Sequence, residues 1–381
     1  MTETTTYLSP NGQDVTRGDG PATRIMVATV EGVATLNRET PDAAWRLTNR
    51  SLNHCHVGSM VFEPVSGKLF AGAHLDGGLW VSDDGEGASW RQLTNGIDRP
   101  HIYSLATRIM GDKVTIFAGT QPAALYRSDD FGESWTELTG LRDIPGTEKW
   151  TFPPPPHIAH VKSTVFHPDD PTTIFALVEQ GALLKSTDDG NSWTELSSYS
   201  DPNDTVYRDT HRMLISKDSP NVFYLATGEG VYRSEDAGET WEHFILRSDR
   251  GGYTDFLFFQ PGNENTLYMG GASLDPGRWR NEGLADSHVM RSTDRGQTWT
   301  DLDKGLPKPV IGAFEAMTIH QWNGGMMLVI GTATGEIYTS EDDGASWTCI
   351  KDNVTPVSKD HHHIAFSPPE QAERAMAARR A

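Results

Sequence analysis

The sequence is poor in cysteine and in basic residues. It has 2 cysteines in 381 residues, Cys55 and Cys349, and neither stands in a CxxC pair. Two isolated cysteines argue against a disulfide framework and against thiol chemistry. Lys and Arg number 32 against 52 Asp and Glu, which gives a formal net charge of −20. Because phosphate backbones and anionic lipids are bound through clustered basic residues, we expect neither nucleic acid nor membrane as a partner.

Long apolar runs are also missing. The longest runs, such as residues 326–330, fall far short of the ~20 residues that cross a bilayer. The N-terminus has neither the basic start nor the apolar stretch of a signal peptide. We therefore expect a soluble, cytoplasmic protein.

What the sequence does have is an internal repeat. A Ser-x-Asp-x-Gly-x-Ser/Thr-Trp segment recurs in five full copies, and a sixth copy carries one extra residue. The copies occupy residues 128–135, 186–193, 234–241, 292–299 and 340–347, and the longer one residues 82–90. Their tryptophans, together with Trp45, lie 45 to 58 residues apart. Such a period, with several short strands in each unit, is typical of β-propeller blades.

The strand pattern predicts how many blades there are and how the ring closes. Each unit reads as four short strands, and the first strands begin near His54, His101, His157, Asp209, Tyr253, Phe314 and His361. The last has no strands after it, whereas the segment from Arg24 has three strands and no first one. We predict an all-β fold, a single seven-bladed β-propeller of four-stranded antiparallel blades over residues 23–368. In this prediction the C-terminal strand pairs with the N-terminal strands, and residues 1–22 and 369–381 are tails.

The repeat resembles the Asp-box (BNR, sialidase-like) repeat of a β-propeller superfamily. The resemblance implies the fold but leaves the activity open, because enzymes and scaffolds both carry it. Sialidase activity is not expected, since the Arg-Ile-Pro start of that family is missing. We expect the boxes to be structural, with Ser and Asp bonding turn N–H groups and Gly supplying a positive φ.

A set of polar residues near the starts of the first strands indicates a site. Four positions before the apolar residue near each strand end stand Gly58, His101, Lys162, His211, Asp255, Glu315 and His362. Side chains alternate along a strand, so a constant even offset places this set on one face, around the propeller axis. Imidazoles with carboxylates are ligands for Zn, Mn or Fe. We predict that His101, His211, His362, Glu315 and Asp255 bind a divalent metal.

Other residues at the same end complete the predicted site. His56, His160 and Lys162 are the candidates for a catalytic base and a contact to a substrate carboxylate. The candidates for substrate binding are Arg212, Arg278, Arg280, Trp150, Trp279 and His74. The alternative, that these polar residues line a water-filled channel and bond neighbouring backbone, stays open.

The resulting hypothesis is a metal-dependent lyase or hydrolase. Its substrate would be a small molecule, anionic and carbohydrate-like or aromatic, bound in the central pocket of one propeller face. Hydrolysis by the carboxylate pair Asp255 and Glu315 is a further option. The alternative from another class is a non-catalytic propeller that serves as a binding or assembly scaffold. The sequence does not predict the oligomeric state.

Overall fold

The computed structural model describes residues 4–75, 77–196, 209–370 and 372–373, and these residues form seven blades around one axis. The N-terminal segment contributes β1 (Thr5–Leu8) and β2 (Val15–Arg17). Blade 1 combines β1 with β3 (Arg24–Thr29), β4 (Gly32–Asn37) and β5 (Arg46–Ser51). Blade 2 contains β6 (Val57–Glu63), β7 (Lys68–Ala73), β8 (Gly78–Ser82) and β9 (Arg91–Leu93). Blade 3 contains β10 (Ile102–Met110), β11 (Lys113–Thr120), β12 (Leu125–Ser128) and β13 (Thr136–Glu137).

The remaining four blades follow the same order from the axis outward. Blade 4 contains β14 (His160–Phe166), β15 (Ile174–Glu179), β16 (Ala182–Ser186) and β17 (Thr194–Glu195). Blade 5 contains β18 (Thr210–Ile215), β19 (Phe223–Thr227), β20 (Gly230–Ser234) and β21 (Glu242–Leu246). Blade 6 contains β22 (Tyr253–Gln260), β23 (Asn263–Ala272), β24 (Ser287–Ser292) and β25 (Thr300–Asp301). Blade 7 contains β26 (Phe314–Trp322), β27 (Gly325–Thr332), β28 (Ile337–Ser340) and β29 (Thr348–Lys351), with β2 added along β26.

Helical segments are short. The helix α1 (Pro276–Glu282) lies between β23 and β24, and 3-10 turns occur at Thr139–Leu141, Thr147–Lys149 and His362–Phe366. No helix in the described residues is long and apolar enough to span a bilayer.

The Asp boxes form the turns between the third and fourth strands of their blades. In the copy of blade 3 the Asp130 carboxylate accepts bonds from the Ser128 hydroxyl at 2.8 Å and the Ser134 N–H at 2.9 Å. The Ser128 hydroxyl in turn accepts from the N–H of Gly132, whose φ is +86°. Trp135 donates its indole N–H to the Gly132 carbonyl at 3.1 Å and packs against neighbouring strands. The structural role expected of the boxes is confirmed.

The ring closes at a different strand from the one predicted. The seven-bladed count is confirmed, but residues 362–366 form a 3-10 turn, and β1 takes the innermost place in blade 1. β1 pairs with β3 in parallel, from Thr5 opposite Arg24 to Leu8 opposite Val27. The prediction of a C-terminal closing strand was wrong, and part of the expected N-terminal tail is strand. Thr5, Thr6 and Tyr7 are β-branched or aromatic, which suits a strand, whereas the C-terminal segment is held by buried ion pairs described below.

The segment that joins β1 to β2, residues 9–14, crosses the channel. Its backbone bonds the inner strands of three blades: Asn11 N–H to Gly58 O at 3.0 Å, Leu105 N–H to Asn11 O at 3.2 Å, and Ile319 N–H to Asp14 O at 2.9 Å. We call it the N-terminal crossing. Its partners lie further along the inner strands than His56 and His160, so the crossing runs beneath the histidine-rich end of the channel.

Candidate functional site

The polar residues at the axis stand on β-bulges. In six blades the register between the first and second strands skips one residue of the first strand, and the skipped residues are Gly58, Tyr103, Lys162, His211, Asp255 and Glu315. A bulge leaves one residue outside the ladder and re-aims its side chain. Five of these six are residues that the sequence alignment singled out. In blade 3 the equivalent residue is Tyr103, two positions after the predicted His101.

One group of ligand atoms converges at the mouth of the channel. Glu179, at the end of β15, Asp209 and His211 each offer an atom within 4.8 Å of the others. His211 Nε2 lies 3.6 Å from Asp209 Oδ1 and 3.8 Å from Glu179 Oε1. These separations are too long for hydrogen bonds, and buried His211 Nε2 has no hydrogen-bond partner among the described residues. Its other nitrogen, Nδ1, lies 2.7 Å from the Thr254 carbonyl oxygen.

The Glu179 carboxylate is also bound by two side chains of blade 4. Its Oε2 atom lies 2.7 Å from His160 Nε2 and 2.7 Å from Lys162 Nζ. Burial would raise the pKa of the Glu179 carboxyl, but Lys162 and His160 hold that pKa well below its usual range. Burial lowers the pKa of His160, and the Glu179 charge opposes this in part. His160 stacks on Tyr103 with ring centroids 3.5 Å apart. Glu179 is therefore a fixed anion in a buried network.

The segment after blade 7 closes the other side of the network. Lys359 Nζ pairs with the Asp255 carboxylate, and Lys359 N–H bonds Glu315 Oε2 at 3.0 Å. His362 Nδ1 lies 2.9 Å from Glu315 Oε1. Burial would lower the pKa of Lys359, but Asp255 and Glu315 raise it above its usual value. The carboxylates of Asp255 and Glu315 therefore already have partners in the C-terminal segment.

The five predicted metal ligands are not brought together as one set. Asp255 faces Lys359 and His211 Nδ1, the latter at 3.3 Å, and Glu315 faces His362. His101 lies with His74 and Tyr103, with ring centroids 5.1 and 6.0 Å away. Of the predicted ligands, only His211 joins the three-residue group that can hold an ion among the described residues. The predicted five-ligand centre does not form, because Lys359, which the alignment did not include, pairs with Asp255, and His362 pairs with Glu315.

A cavity opens directly over this network. It has a volume of about 490 Å³ and is lined by Phe152, Pro153, Pro154, Pro155, Glu179, Gln180, Asp209, Gly228, Glu229, Arg247, Tyr253, Asp275, Pro276, Gly277, Arg280, His361 and His362. Its walls come from the proline-rich connection before blade 4 and from the start of α1. The carboxylates Glu179, Asp209, Glu229 and Asp275 outnumber the cations Arg247 and Arg280 on its surface. Neither Asp255 nor Glu315 lines it, which argues against a hydrolytic pair of these two.

The predicted substrate-binding residues divide between the cavity and other places. Arg280 lines the cavity, whereas Arg278 is exposed and pairs with Glu282 at 2.6 Å. Arg212 pairs with Asp14 and bonds the Pro10 carbonyl, so it anchors the N-terminal crossing. The structure does not place Arg212 in the cavity.

The two tryptophans predicted to bind substrate are packing residues. Trp279 is fully buried, donates to the Leu274 carbonyl at 2.7 Å and packs on His362. Trp150 is partly buried against the core of blades 3 to 5. The aromatic surfaces that do line the cavity belong to Phe152 and Tyr253.

The other predicted histidines lie around the blade 2 side of the channel. His56 Nε2 lies 2.8 Å from the Ser358 carbonyl, and its ring is 4.6 Å from that of His74. His74 is buried, with 1% exposure. His56 and His74 do not line the cavity over Glu179.

Three residues important to the site were not predicted as members of it. Asp209 lies two residues before His211, and Lys359 lies two before His361, so both were near the predicted positions in sequence. Glu179 ends a second strand, and its position before a turn on the same propeller face is the signal that could have placed it in the site.

The repeat matches a known family of repeats. A profile described as "BNR-Asp box repeat" matches residues 125–138, the segment that contains the box of blade 3. The chain is thus a seven-bladed β-propeller that carries Asp-box repeats.

Curated relatives of this Asp-box propeller are xyloglucanases. It is 24% identical over 205 residues to a probable oligoxyloglucan-reducing end-specific xyloglucanase of Neosartorya fischeri, covering 50% of this chain and 24% of that protein. It is 26% identical over 222 residues to xyloglucanase Xgh74A of Acetivibrio thermocellus, covering 49% of this chain and 25% of that protein. The chain therefore spans about a quarter of the length of these relatives.

Solved structures support the fold. An ancestral GH74 enzyme aligns with a TM-score of 0.60 and 17% identity, covering 78% of this chain and 39% of that one. YCF48 from Cyanidioschyzon merolae aligns with a TM-score of 0.54 and 14% identity, covering 83% of this chain and 91% of that one. At such identities the likeness concerns the propeller architecture.

Proposed function

We propose that this Asp-box propeller is a hydrolase that acts on a carbohydrate in the cavity over Glu179, with a divalent cation held by Glu179, Asp209 and His211. The observation that carries the proposal is the arrangement around His211 Nε2. Because a carbonyl oxygen only accepts, Nδ1 carries a proton and donates it to the Thr254 carbonyl at 2.7 Å, which leaves Nε2 as the ring nitrogen for a ligand. Nε2 faces two carboxylate oxygens.

Three lone-pair-bearing atoms this close are stabilised by a shared cation. Two ligands bound to one ion at ~2.1–2.3 Å lie roughly 3.0–3.7 Å apart, depending on the coordination angle. The distances from His211 Nε2 to Asp209 Oδ1 and Glu179 Oε1 are 3.6 and 3.8 Å. A small movement of the side chains would bring both atoms to the separations expected around one ion. A mixed set of imidazole and carboxylate ligands suits Zn, Mn or Fe. The ion would supply a Lewis acid to an oxygen of the substrate.

The carbohydrate substrate is supported by the relatives and by the cavity lining. The curated relatives are named as xyloglucanases, which supports a carbohydrate substrate. Tyr253 and Phe152 offer ring faces to a sugar, and Glu229 and Asp275 offer acceptors for its hydroxyl groups. Arg280 and Arg247 would bind an acidic substituent such as a uronate. Asp209 and Glu229 are the cavity carboxylates that we assign to proton transfer.

The test uses untagged protein and a panel of oligosaccharides. The panel contains neutral xyloglucan fragments and acidic pectic fragments, and new reducing ends are measured before and after removal of metal with a chelator. We expect hydrolysis of at least one class, loss of activity with the chelator, and recovery on adding Zn²⁺ or Mn²⁺.

The Asp209→Asn variant links the residues to this activity. We expect a loss of at least 100-fold in turnover together with loss of bound metal, because one ligand and one proton-transfer group disappear. The matched control is Asp352→Asn, since the Asp352 side chain is 82% exposed and does not line the cavity. If no oligosaccharide is cleaved and metal analysis finds less than about a tenth of an ion per chain, the scaffold alternative replaces this proposal.

A further inference from the structure

The turn between β15 and β16 of blade 4 holds a glutamine in the left-handed backbone region. β15 ends at Glu179 and β16 begins at Ala182, and Gln180 between them has a φ of +59°. This region is unfavourable for most side chains, because the Cβ atom comes close to the following carbonyl oxygen. At the same turn in blades 1, 5 and 7 the positive φ belongs to a glycine, namely Gly32, Gly230 and Gly335. The fold therefore builds this turn without a side chain in three other blades.

The backbone of the turn is held by contacts that do not involve the glutamine side chain. The Gly181 N–H donates to the Val178 carbonyl at 2.9 Å. A Cβ atom on Gly181 would lie 2.4 Å from Val178 Cγ1 and 3.1 Å from Trp150 Cγ, so the turn packs closely on both residues. The Gln180 carboxamide forms no hydrogen bond within the part of the chain that the structure describes. Nothing in the turn itself accounts for a glutamine at this position.

The position of Gln180 accounts for it instead. The residue is partly buried and lines the cavity directly beside Glu179. Its carboxamide has one acceptor oxygen and two N–H donors, so it can bond two adjacent hydroxyl groups at once. Ligand cavities owe their selectivity to a few such fixed polar groups. Residues in unfavourable backbone conformations also cluster where ligands bind.

We propose that Gln180 determines specificity in this cavity, with its carboxamide bonding a pair of neighbouring hydroxyl groups on the sugar. The inference rests on the proposed function, since it takes the ligand to be a carbohydrate. The carboxamide is uncharged, so this contact distinguishes sugars by the arrangement of their hydroxyl groups and not by their charge. Recognition of an acidic substituent remains with Arg280, which lines the same cavity.

The experiment compares Gln180→Gly with the wild type by isothermal titration calorimetry. The probes are a xyloglucan heptasaccharide and trigalacturonate, and both proteins are untagged and treated with a chelator, so that binding is measured without turnover. We expect Gln180→Gly to bind either probe about tenfold more weakly or worse, since one or two hydrogen bonds to the ligand disappear. The factor should be the same at low and high salt, because no charge is removed.

Thermal unfolding of the same variant separates a binding role from a structural one. Glycine adopts a positive φ without a Cβ clash, so Gln180→Gly should melt at the wild-type temperature or above it. The matched control is Leu75→Gly. Leu75 has a φ of +55° in the corresponding connection of blade 2, is 44% exposed and does not line the cavity. We expect this control to bind both probes as the wild type does.

Two results would overturn the role of Gln180. One is unchanged affinity of Gln180→Gly for a probe that the wild type binds. The other is failure of Gln180→Gly to fold, or a melting temperature clearly below that of the wild type, which would make the side chain structural. Failure of the proposed hydrolase has a different signature, since the wild type would then bind a probe and cleave none, and the affinity ratio would still decide on Gln180. Wild-type protein that binds neither probe would refute both proposals.

Discussion

Glu179 shows how a buried charge is maintained at the axis of this propeller. The side chains of Glu179 and Lys162 are each about 4% exposed, and their charged atoms lie 2.7 Å apart. An ammonium group and a carboxylate so far from water are costly unless each faces the other. The network therefore depends on both partners, and removing one of them leaves the other uncompensated.

The first prediction follows from this pair. We expect Glu179→Gln to destabilise the metal-free protein by about 3–5 kcal/mol, because it leaves the Lys162 ammonium buried without a counter-charge. Chemical denaturation in the presence of a chelator measures the loss. The double variant Glu179→Gln with Lys162→Met should recover at least half of it. If the double variant is no more stable than Glu179→Gln alone, charge imbalance is not the cause.

The sequence predicted the identity of several site residues but not their partners. His211 and Lys162 were found because a constant offset from the strand ends marks the channel face, and His160 was found two residues before Lys162, on the same face of its strand. Lys359 was not, because its approach to Asp255 depends on a chain segment about 100 residues away that has no repeat pattern. Trp279 was assigned to substrate binding because it lies in a long insertion beside Arg278 and Arg280, whereas the short helix places its ring in the core.

The inner strands explain why the offset argument worked in most blades. A bulge at the same place in six strands sets one residue of each apart from the ladder. The alternation of polar and apolar residues along a strand does not reveal a bulge. The sequence therefore indicated these positions only where a polar residue stands among apolar ones. In blade 3 that signal failed, since Tyr103 occupies the bulge and the polar His101 precedes the strand.

The second prediction concerns the Asp-box turns in acid. Hydrogen bonds from the following Ser or Thr hydroxyl, the backbone and the preceding Ser lower the pKa of Asp188, Asp236 and Asp294 to about 2. Because the folded pKa lies below the unfolded value, near 3.9, these turns contribute stability that is complete above about pH 4. It is lost as the pH falls from there through about 2.

Unfolding midpoints measured between pH 5 and pH 2 test this dependence. We expect the wild type to lose stability steeply below pH 4, and Asp236→Asn to start lower at neutral pH but to show a shallower decline. The control is Asp352→Asn, which should follow the wild type. Equal slopes for Asp236→Asn and wild type would contradict the role assigned to the box carboxylates.

The ring as a unit depends on its N-terminal segment. β1 completes blade 1, the N-terminal crossing bonds blades 2, 3 and 7, and β2 extends blade 7. Repeat analysis predicted the seven blades, because the box tryptophans recur in phase with them. It did not predict the closure, because β1 and β2 carry no box and pair in parallel with β3 and β26, whereas the repeat pattern implies antiparallel neighbours.

The third prediction concerns how a histidine attaches this segment. The buried His320 lies with Nδ1 2.9 Å from the Thr16 hydroxyl and Nε2 3.0 Å from the Gly20 carbonyl. The Gly20 carbonyl requires an N–H at Nε2, so in the neutral ring Nδ1 accepts from the Thr16 hydroxyl. Burial lowers the pKa of His320 below its usual 6.5. The contribution of His320 to the free energy of unfolding is therefore complete above about pH 6.5 and is lost as the pH falls below that value.

The measurement compares the free energy of unfolding at pH 7.5 and pH 5.5. We expect the difference between these values to be smaller in His320→Gln than in the wild type, since glutamine does not titrate. The His243→Gln variant serves as the control and should keep the wild-type difference. An unchanged difference in His320→Gln would show that this ring is not what makes the attachment sensitive to pH.

The last prediction concerns closure itself. Deleting residues 1–18 removes β1, the N-terminal crossing and β2 together, which leaves the edge of β3 unpaired and the Arg212 guanidinium without Asp14. An open edge and an uncompensated, nearly buried cation both disfavour the folded ring, so we expect the deletion variant to be insoluble or to melt at least 10 °C lower. Removing residues 374–381 instead should leave the melting temperature unchanged, because the ring is complete before them. A soluble deletion variant with the wild-type melting temperature would mean that blade 1 is stable with three strands and that the N-terminal segment does not close the propeller.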